Sequence, residues 1–569
     1  MRRSGAGDAW WAVSLFVGAL ALGASAPASG QARGAAEYDV VIRNGRVLDG
    51  AGNPWIRADV AIKDGRFARI GVVEGRGARE IDAAGKYVSP GWIDMMDQSG
   101  GALLSNPLAE NKLRMGVTTA IGGEGGTPGL PAGPGTPRRG ATTANIPAYF
   151  QALEDSSISI NFGTYYSETQ ARTAVLGSSA REPTPAELER MKAAMDSAMK
   201  AGVMGMTTAL IYPPSSYSTT HELATVAQAM APYGGIYASH VRGEGKELVQ
   251  SIGEAIEIGR RAGVPVEIFH FKAAYQPGWG TLMREAIDTV NAARARGLDV
   301  AADLYPYTAG GTGLEATIPS WAFEGGTDSL RARLRDPETR ALLRKQVETG
   351  VEGWWNIIEA SGGWQNVVLA NARNPEFARF QGQSIARIAE ALGKDPIDTA
   401  WDIAVAGGGR VTAIYHMMSE GDIVTALAQP WVSIGSDAGA ALQPGTGDGT
   451  GLPHPRAYGN HPRVLKRFVK ELGALTLPDA IRRMTSWPAS RMRLMDRGMI
   501  REGLWADVVV FDFDAIDDRA TYEEPMRSPT GIEYVLVNGV VTIDQGAHTG
   551  ARAGHVLYGP GRRAGNAGM

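Results

Sequence analysis

The chain has 569 residues, and its 56 Lys and Arg against 60 Asp and Glu give a formal net charge of −4 at pH 7. That balance has no basic surplus of the kind that nucleic-acid binding requires. Hydrophobic residues at 44% and charged residues at 20% exclude bulk disorder. The absence of Cys excludes disulfides, thiolate metal sites and a cysteine nucleophile. Any metal ion must therefore be held by His and carboxylate side chains.

The N-terminus has the pattern of an export signal. Arg2 and Arg3 precede an apolar run over residues 10–24, and small residues follow as far as Gly30. Basic, apolar and small segments in that order are typical of a cleavable signal peptide. The alternative is a membrane anchor, for which the apolar run is short. We therefore expect residues 1–30 to be a signal peptide and the protein to be exported, periplasmic or secreted, with no membrane contact after cleavage.

Both ends of the mature chain have the pattern of β-strands. Residues 38–90 alternate short apolar runs with Asn-Gly and Asp-Gly pairs, which favour hairpin turns. The same pattern returns in LWADVVVFDFDAI and IEYVLVNGVVTIDQG, within residues 486–558. These segments predict the two parts of one small β-sandwich, with residues 91–485 as an inserted domain.

The inserted segment alternates helical and strand patterns. Thr184, Pro185 and Glu187 form a capping box with proline in the first turn, and the helix that they begin is predicted to end at Gly202. A second amphipathic stripe ends at Gly263 and precedes the strand-like run VPVEIFH. Repeated strand and helix units indicate a parallel sheet.

These units predict an α/β fold, a (β/α)8 TIM-like barrel with insertions over residues 91–485, with a doubly wound sheet as the alternative. Two segments rich in Gly and Pro, residues 125–143 and 439–462, contain too many turn formers for regular elements. We expect both segments to be active-site loops.

A few titratable residues follow the predicted strands, where the active site of such a barrel lies. His240 ends GGIYASH, His270 ends VPVEIFH, Asp437 ends WVSIGSD, and Glu124 is the glutamate of GVTTAIGGEGG, after its strand-like part. A lone histidine at a strand end is more often structural, but two on consecutive strands with two carboxylates indicate metal binding. Two His and one Glu are typical of a catalytic zinc site that leaves one position for water. The remaining histidines are interpreted as structural or exposed groups in helices or loops: His221, His416, His454, His461, His548 and His555.

Several motifs, taken in order, resemble one family. They are VIRNGRVLDGAGNP and KYVSPGWID near the start, then GVTT, LIYPPSSY, YASHVRGEG, DLYPYTAGGT, IGSDAG and HPRAYGNHPRVL, and MTSWPASRMRLMDRGMIREGLWADVVVFD through GIEYVLVNGVV at the end. Over nearly the whole mature chain the sequence resembles the N-acyl-D-amino-acid deacylases (D-aminoacylases) of the amidohydrolase superfamily. The resemblance implies a metal-dependent barrel on a small β-sandwich. It also implies hydrolysis of the amide that joins an acyl group to an amino acid of D configuration.

The sequence departs from the family at two places. Where the superfamily usually carries His-x-His after the first barrel strand, this chain has Met96 and Gln98. Where D-aminoacylases tend to have a cysteine ligand after GVTT, Gly125 stands near that position and Glu124 lies beside it. A glutamate oxygen can replace a thiolate on zinc. We therefore expect a single metal ion; the alternative for Glu124 is an incidental residue of a Gly-rich turn.

The predicted mechanism uses one Zn²⁺ held by Glu124, His240 and His270, which activates water and polarises the scissile carbonyl. Asp437, which matches the family aspartate, would deprotonate that water and return the proton to the leaving amine. The alternative for Asp437 is a turn residue, since Ser-Asp-Ala-Gly is also ordinary turn chemistry.

Three further residues are candidates for substrate binding. Lys272 lies two residues after His270, on the same side of an extended strand, and Lys272 and Arg456 both match family substrate-binding positions. Either cation suits a substrate carboxylate, and Arg can bind it through two hydrogen bonds. Tyr212 is a candidate donor to the substrate or the oxyanion. A surface charge or a core aromatic is the alternative role for each of the three.

The predicted function is therefore metal-dependent hydrolysis of N-acyl amino acids, with a small-molecule substrate as the partner. A dipeptidase or cyclic amidase of the same superfamily is an alternative, because one metal centre attacks any amide and only pocket contacts select the substrate. The missing His-x-His pair also leaves open an exported binding protein without a tightly bound metal.

Overall fold

The computed structural model describes residues 36–130, 143–408, 411–441 and 451–562. The predicted signal peptide and the middle parts of both predicted loops lie outside these residues. Within the described ranges, no helix combines the length and apolar character needed to cross a bilayer.

The chain begins with strands that contribute to a sheet at the base of the molecule. They are β1 (Tyr38–Val47), β2 (Ile56–Lys63), β3 (Arg66–Gly71), β4 (Gly77–Asp82) and β5 (Tyr87–Pro90). Strands β1, β2 and β3 pair antiparallel, with the tight turn at Asp64 and Gly65 that the Asp-Gly pair predicted.

Strands and helices then alternate. The strands are β6 (Trp92–Asp97), β7 (Val117–Gly122), β8 (Asn161–Thr164), β9 (Tyr166–Ser167), β10 (Gly205–Ala209), β11 (Ile236–His240), β12 (Val266–Ile268) and β13 (Val300–Leu304). The helices are α1 (Gly100–Leu103), α2 (Glu110–Arg114), α3 (Ile146–Ser156), α4 (Glu168–Leu176), α5 (Pro185–Ala201), α6 (Thr220–Ala227), α7 (Leu248–Ala262) and α8 (Leu282–Ala295). The capping box of Thr184 and Glu187 is present on α5, and Gly202 (φ 106°) and Gly263 (φ 71°) end α5 and α7 in the left-handed region, as predicted.

A long insertion separates the last two barrel strands. Its antiparallel strands are β14 (Ala309–Gly313), β15 (Val367–Asn371) and β16 (Thr412–His416). Its helices are α9 (Thr327–Arg335), α10 (Pro337–Thr349), α11 (Ile357–Ala360), α12 (Pro375–Ala378), α13 (Ile385–Leu392) and α14 (Pro396–Ala406). The insertion has its own hydrophobic core around Trp401 and Tyr415. His416 is the last residue of β16, so the interpretation that it lies in a helix or loop was wrong.

The last barrel strand and four helices follow. They are α15 (Glu420–Leu427), β17 (Val432–Ile434), α16 (Arg456–Arg463), α17 (Leu477–Met484) and α18 (Ser486–Arg491), and a π-helical segment, Val464–Glu471, continues α16. The prediction that residues 439–462 contain only loop was wrong for α16. Its residues from Arg456 to Pro462 are buried, so packing outweighs the turn-forming Gly and Pro within it.

The barrel strands are parallel and follow each other in sequence order. One sheet contains β6, β7 and β8; another runs from β9 through β10, β11, β12 and β13 to β17, and only Tyr165 separates β8 from β9. The ring closes where the Asp437 N–H donates to Met96 O (2.8 Å) and the Gln98 N–H donates to Ala438 O (3.2 Å). This arrangement is the predicted (β/α)8 barrel and not the doubly wound alternative.

The C-terminal strands complete the basal sheet. They are β18 (Val508–Phe511), β19 (Ile532–Val537), β20 (Val540–Asp544) and β21 (Ala547–His548). Strand β18 pairs antiparallel with β5, with Val509 opposite Ser89, so both chain ends form one hydrogen-bonded sheet of nine strands. Side chains from both ends, including Val60 and Val508, share one core. The β unit built from both chain ends is therefore confirmed.

Candidate metal centre

Three potential metal ligands meet at the C-terminal face of the barrel. His240 Nδ1 lies 2.8 Å from Glu124 Oε1, His270 Nε2 lies 3.3 Å from the same oxygen, and the two ring nitrogens are 2.9 Å apart. Within the described ranges these are the only three His, Cys, Asp or Glu side chains whose ligand atoms all lie within 4.8 Å of one another. The structure thus brings together the three ligands that the sequence predicted, each at or just after the end of a different barrel strand.

The backbone around His270 differs from the prediction. Strand β12 ends at Ile268, and His270 has a φ of 34°, in the left-handed region that few non-glycine residues adopt. Asp303 stabilises this turn, because its Oδ1 accepts the His270 N–H at 2.9 Å and its carbonyl accepts the Phe271 N–H at 2.7 Å. The turn directs the imidazole toward Glu124, so His270 reaches the site from a loop rather than from an extended strand.

Glu244 contacts both predicted histidine ligands and is not among the site residues predicted from the sequence. Its Oε1 lies 3.1 Å from His270 Nδ1, 3.6 Å from His240 Nε2 and 2.5 Å from Lys272 Nζ. A carboxylate at the second nitrogen of a metal-binding histidine orients the ring. The available signal was the spacing in YASHVRGEG, which places Glu244 four residues after His240.

Burial and the neighbouring carboxylates oppose each other at both histidines of the site, and at His240 burial prevails and lowers the pKa. Burial and the Lys272 ammonium lower the pKa of His270, but Glu244 and Glu124 outweigh them and raise this pKa to about 9. Burial raises the pKa of Glu124, yet hydrogen bonds from His240 and His270 hold it well below its usual range. The raised pKa of His270 and the lowered pKa of Glu124 have the same cause: each group is stabilised by opposite charge on its neighbours.

Asp437 follows β17 at the edge of the same site. Its Oδ2 pairs with Arg456 Nη2 at 2.9 Å, and its Oδ1 lies 3.4 Å from Gln98 Nε2. Burial raises the pKa of Asp437, and the Arg456 guanidinium opposes that rise. The residue has a φ of 48°, so its backbone adopts a left-handed conformation that a non-glycine residue reaches only at an energetic cost. The carboxylate therefore faces the metal ligands from a fixed and unusual backbone position.

The predicted substrate-binding residues surround the site and have protein partners. The guanidinium of Arg456 lies 4.5 Å from the ring centroid of Tyr305, and its Nη1 is buried with no hydrogen-bond partner. Lys272 Nζ lies 2.6 Å from His270 Nδ1 and pairs with Glu244. The hydroxyl of Tyr212 lies 2.6 Å from Thr312 Oγ1. Of these three residues, Arg456 is the one with a buried side-chain donor that has no partner in the described structure.

Gln98 and Met96 differ in what they contact. The Gln98 side chain donates from Nε2 to Glu124 Oε2 at 2.5 Å and also lies near Asp437. Met96 is buried in an apolar cluster with Ile93 and Phe269. Gln98 therefore links the metal-ligand group to Asp437 through a neutral carboxamide, and Met96 contributes apolar packing.

The residues present fit a zinc ion. Two imidazole nitrogens and one carboxylate oxygen form a catalytic type of zinc set. Metal-binding histidines are neutral. With His240 and His270 in that form, the three carboxylates Glu124, Glu244 and Asp437 exceed the two cations Lys272 and Arg456, and a bound cation would offset the resulting negative charge.

Comparisons with known proteins agree with this architecture. A model of the amidohydrolase family matches residues 79–543. An N-acyl-D-glutamate deacylase of Alcaligenes xylosoxydans xylosoxydans is 33% identical over 92% of this chain and 96% of that protein. The chain therefore belongs to the amidohydrolase family.

Two solved structures share the fold. A D-aminoacylase with a binuclear metal centre, in which one metal activates and a second attenuates, has a TM-score of 0.78 and 30% identity over 92% of this chain and 100% of that chain. An N-acyl-D-glutamate deacylase from Bordetella bronchiseptica, in complex with zinc and a phosphonate mimic of the tetrahedral intermediate, has a TM-score of 0.77 and 29% identity over 92% and 99% of the two chains. These similarities cover the barrel and the basal sheet together.

Proposed function

We propose that this protein is a metal-dependent hydrolase that cleaves the amide bond of N-acyl-D-amino acids to give a carboxylate and a free amino acid. The observation that carries the proposal is the convergence of Glu124, His240 and His270 beside Asp437 at the C-terminal face of the barrel. The N-acyl-D-glutamate deacylases and D-aminoacylase that the chain resembles support the substrate class.

Glu124, His240 and His270 would hold one zinc ion. A zinc ion bound there supplies Lewis-acid chemistry, since it polarises a carbonyl group and makes water more acidic. Asp437 is the proton carrier in the proposal: its Oδ1, the oxygen not paired with Arg456, accepts a proton from water and later returns it to the leaving amine. The raised pKa of Asp437 brings this carboxylate closer to the range in which it can both accept and donate a proton.

The substrate carboxylate would bind Arg456, whose buried Nη1 has no partner in the described structure. A guanidinium can bind a carboxylate while keeping a second hydrogen bond, here to Asp437. Lys272 would add positive charge next to His270, and the Tyr212 hydroxyl would donate to the substrate or the oxyanion.

Replacement of Arg456 by Ala separates this carboxylate contact from the proton transfer. We expect KM to rise by about 10²-fold for substrates with a free carboxylate, since a charge-assisted hydrogen bond from a buried guanidinium is strong. For amidated analogues we expect an unchanged KM and only a loss in kcat, because the substitution also removes the ion pair between Arg456 and Asp437. Equal losses in kcat/KM for both substrates would contradict the carboxylate contact.

A substrate panel tests the proposed function. Purified protein reconstituted with zinc should hydrolyse N-acyl-D-amino acids with a higher kcat/KM than their L enantiomers, dipeptides or cyclic amides. Activity on dipeptides or cyclic amides alone would instead identify the corresponding hydrolase of the same family. Absence of both metal binding and hydrolysis would indicate a binding protein.

We also propose that the protein is exported, on the basis of the basic, apolar and small segments of residues 1–30. N-terminal sequencing of the protein from its native host should find a first residue between Pro27 and Ala36. An intact Met1 would contradict export with cleavage.

A further inference from the structure

A lysine is enclosed by oxygen atoms next to the proposed active site. Lys112, on helix α2, is fully buried (0% exposed). Its Nζ lies 2.9 Å from Asp94 Oδ2 and 2.6 Å from Asp97 Oδ2, the two acidic residues of strand β6. A lone buried ammonium is costly, but paired carboxylates and hydrogen bonds offset its desolvation. We refer to Lys112, Asp94 and Asp97 as the lysine cage.

The cage also contacts the backbone on both sides of Asp437. Lys112 Nζ donates to Ser436 Oγ at 2.9 Å and to Ala438 O at 2.5 Å. Asp94 accepts from both the N–H (2.8 Å) and the hydroxyl (2.5 Å) of Ser436. Ser436 and Ala438, the residues on either side of Asp437, are therefore both hydrogen-bonded to the lysine cage.

Asp437 needs such support, because its φ of 48° is unfavourable for a residue other than glycine. A strained backbone of this kind persists only where surrounding contacts determine it. Helix α2 supplies a second contact of this type: Asn111 donates to Gly439 O at 3.0 Å and accepts the Ala441 N–H at 2.8 Å. The helix thus holds several successive residues of the segment that carries Asp437.

We propose that Lys112 is a positioning residue for Asp437, which it acts on through Ser436 and Ala438 while making no contact with the reacting atoms. The inference rests on the proposed function, in which Asp437 transfers the proton. The Lys112 ammonium forms hydrogen bonds and ion pairs with oxygen atoms at the end of β6 and just after β17, and so holds these two segments together. Its removal therefore moves the proton carrier without removing a metal ligand.

The main test replaces Lys112 by Ala in the zinc-loaded protein. We expect kcat to fall by about 10²-fold, because a small displacement of a catalytic group has an effect of that size. KM and the zinc content should stay unchanged. Added propylammonium, which has the three carbons and the ammonium group of the deleted side chain, should restore kcat in a saturable manner. A normal kcat in the folded variant, a parallel loss of zinc, or rescue of thermal stability without rescue of kcat would overturn the proposal.

Arg497→Met is a matched control. Arg497 forms a buried ion pair with Asp507 (2.5 Å) away from the metal ligands, so its loss also leaves a buried charge without a partner. The control should lose thermal stability and keep its kcat. An equal loss of kcat in Arg497→Met and Lys112→Ala would show that only general destabilisation was measured.

Ser436→Ala provides a second variant that keeps all charges of the cage and so does not depend on whether Lys112→Ala folds. It removes the hydroxyl that links the lysine cage to the segment before Asp437, and we expect kcat to fall by about tenfold with unchanged zinc content. A kcat equal to that of the wild type would overturn the proposal.

Amide hydrogen exchange tests the positioning role of Lys112 without depending on whether the protein hydrolyses the proposed substrates. The amides of Asp437 and Ala438 should exchange faster in both Lys112→Ala and Ser436→Ala than in the wild type and in Arg497→Met. Faster exchange in a protein that hydrolyses no substrate would support the contact and refute only the proposed function. Unchanged exchange would refute the positioning role whatever the activity.

Discussion

Two clusters of charged residues at the C-terminal face of the barrel differ in the source of their positive charge. At the ends of β7, β11 and β12, Glu124, His240 and His270 converge with an excess of carboxylate around them. At the end of β6, two aspartates meet the ammonium of Lys112. The group of Glu124, His240 and His270 has the ligands for a metal ion from solution. At the end of β6, the positive charge comes instead from the side chain of Lys112.

The ammonium of Lys112 explains why the end of β6 can lack the histidine pair that is usual in the superfamily while the group of Glu124, His240 and His270 remains complete. An ammonium group satisfies carboxylates electrostatically, but it cannot act as a Lewis acid. The proposed function therefore assigns the chemistry to the region of Glu124, His240 and His270, and the proposed role of the lysine cage is to position Asp437.

The largest effect should come from the metal ligands. His240→Ala and His270→Ala should each lose zinc and at least about 10³-fold in kcat/KM, because the Lewis-acid contribution of a metal is worth several kcal/mol. Elemental analysis of the dialysed variants, together with steady-state kinetics, measures both quantities. His221→Ala, a histidine on helix α6, is the control and should keep metal and activity. Full activity after complete metal removal would refute the assignment.

Asp437→Asn should separate proton transfer from metal binding. The amide keeps the size of the side chain but cannot act as a general base, so kcat should fall by at least about 10²-fold. Zinc content should not change, since Asp437 is not among the three converging ligands. Near-normal turnover of the zinc-loaded variant would remove Asp437 from the mechanism.

The number of bound metal ions depends on the side chains at the end of β6. Met96 offers a thioether and Gln98 a neutral carboxamide, and neither is a good zinc ligand. Elemental analysis of active, dialysed protein should therefore find close to one metal ion per chain. The double variant Met96→His with Gln98→His should bind a second ion.

Gln98→Leu is the control for this change, because it removes the carboxamide without adding an imidazole, and it should still bind one ion. Two tightly held ions in the unmodified protein would contradict the proposed division between the two regions.

The smallest effect on activity concerns a third charged cluster, in which Arg172 pairs with Glu222 and Glu168 lies nearby. Burial and the charge of Glu222 raise the pKa of Glu168 to about 8. The folded protein then keeps a proton that the unfolded chain, with a glutamate pKa of about 4.3, releases earlier. The free energy of unfolding should therefore fall as the pH rises from about 4.3 to about 8.

Glu168→Gln should remove this contribution, which has a maximal slope of about 1.4 kcal/mol per pH unit, and it should leave kcat unchanged. Urea unfolding at pH 5 and pH 8 measures the effect. Glu189→Gln, at a position with 70% side-chain exposure, should leave the pH dependence unaltered. An identical pH dependence in Glu168→Gln and the unmodified protein would show that Glu168 is ionised in the folded state.

The residue types of the site and most regular elements followed from local patterns. The capping box of α5 and the glycines that end α5 and α7 are short-range signals, because the groups that interact lie within a few residues of one another. His240, His270 and Glu124 were found because the ends of parallel strands must meet at one face of a barrel.

Other features depended on the tertiary structure. The sequence pattern extended the strand to His270, but hydrogen bonds to Asp303 form a turn there. Burial makes Arg456 begin a helix within a segment rich in turn formers. Lys112 and Ser436 are separated by 324 positions, and only the closure of the barrel between β6 and β17 brings them into contact. By itself the sequence determined which chemical groups were present and which strand ends carried them. Barrel closure decided which distant groups became partners, because those contacts depend on packing between segments that no local pattern encodes.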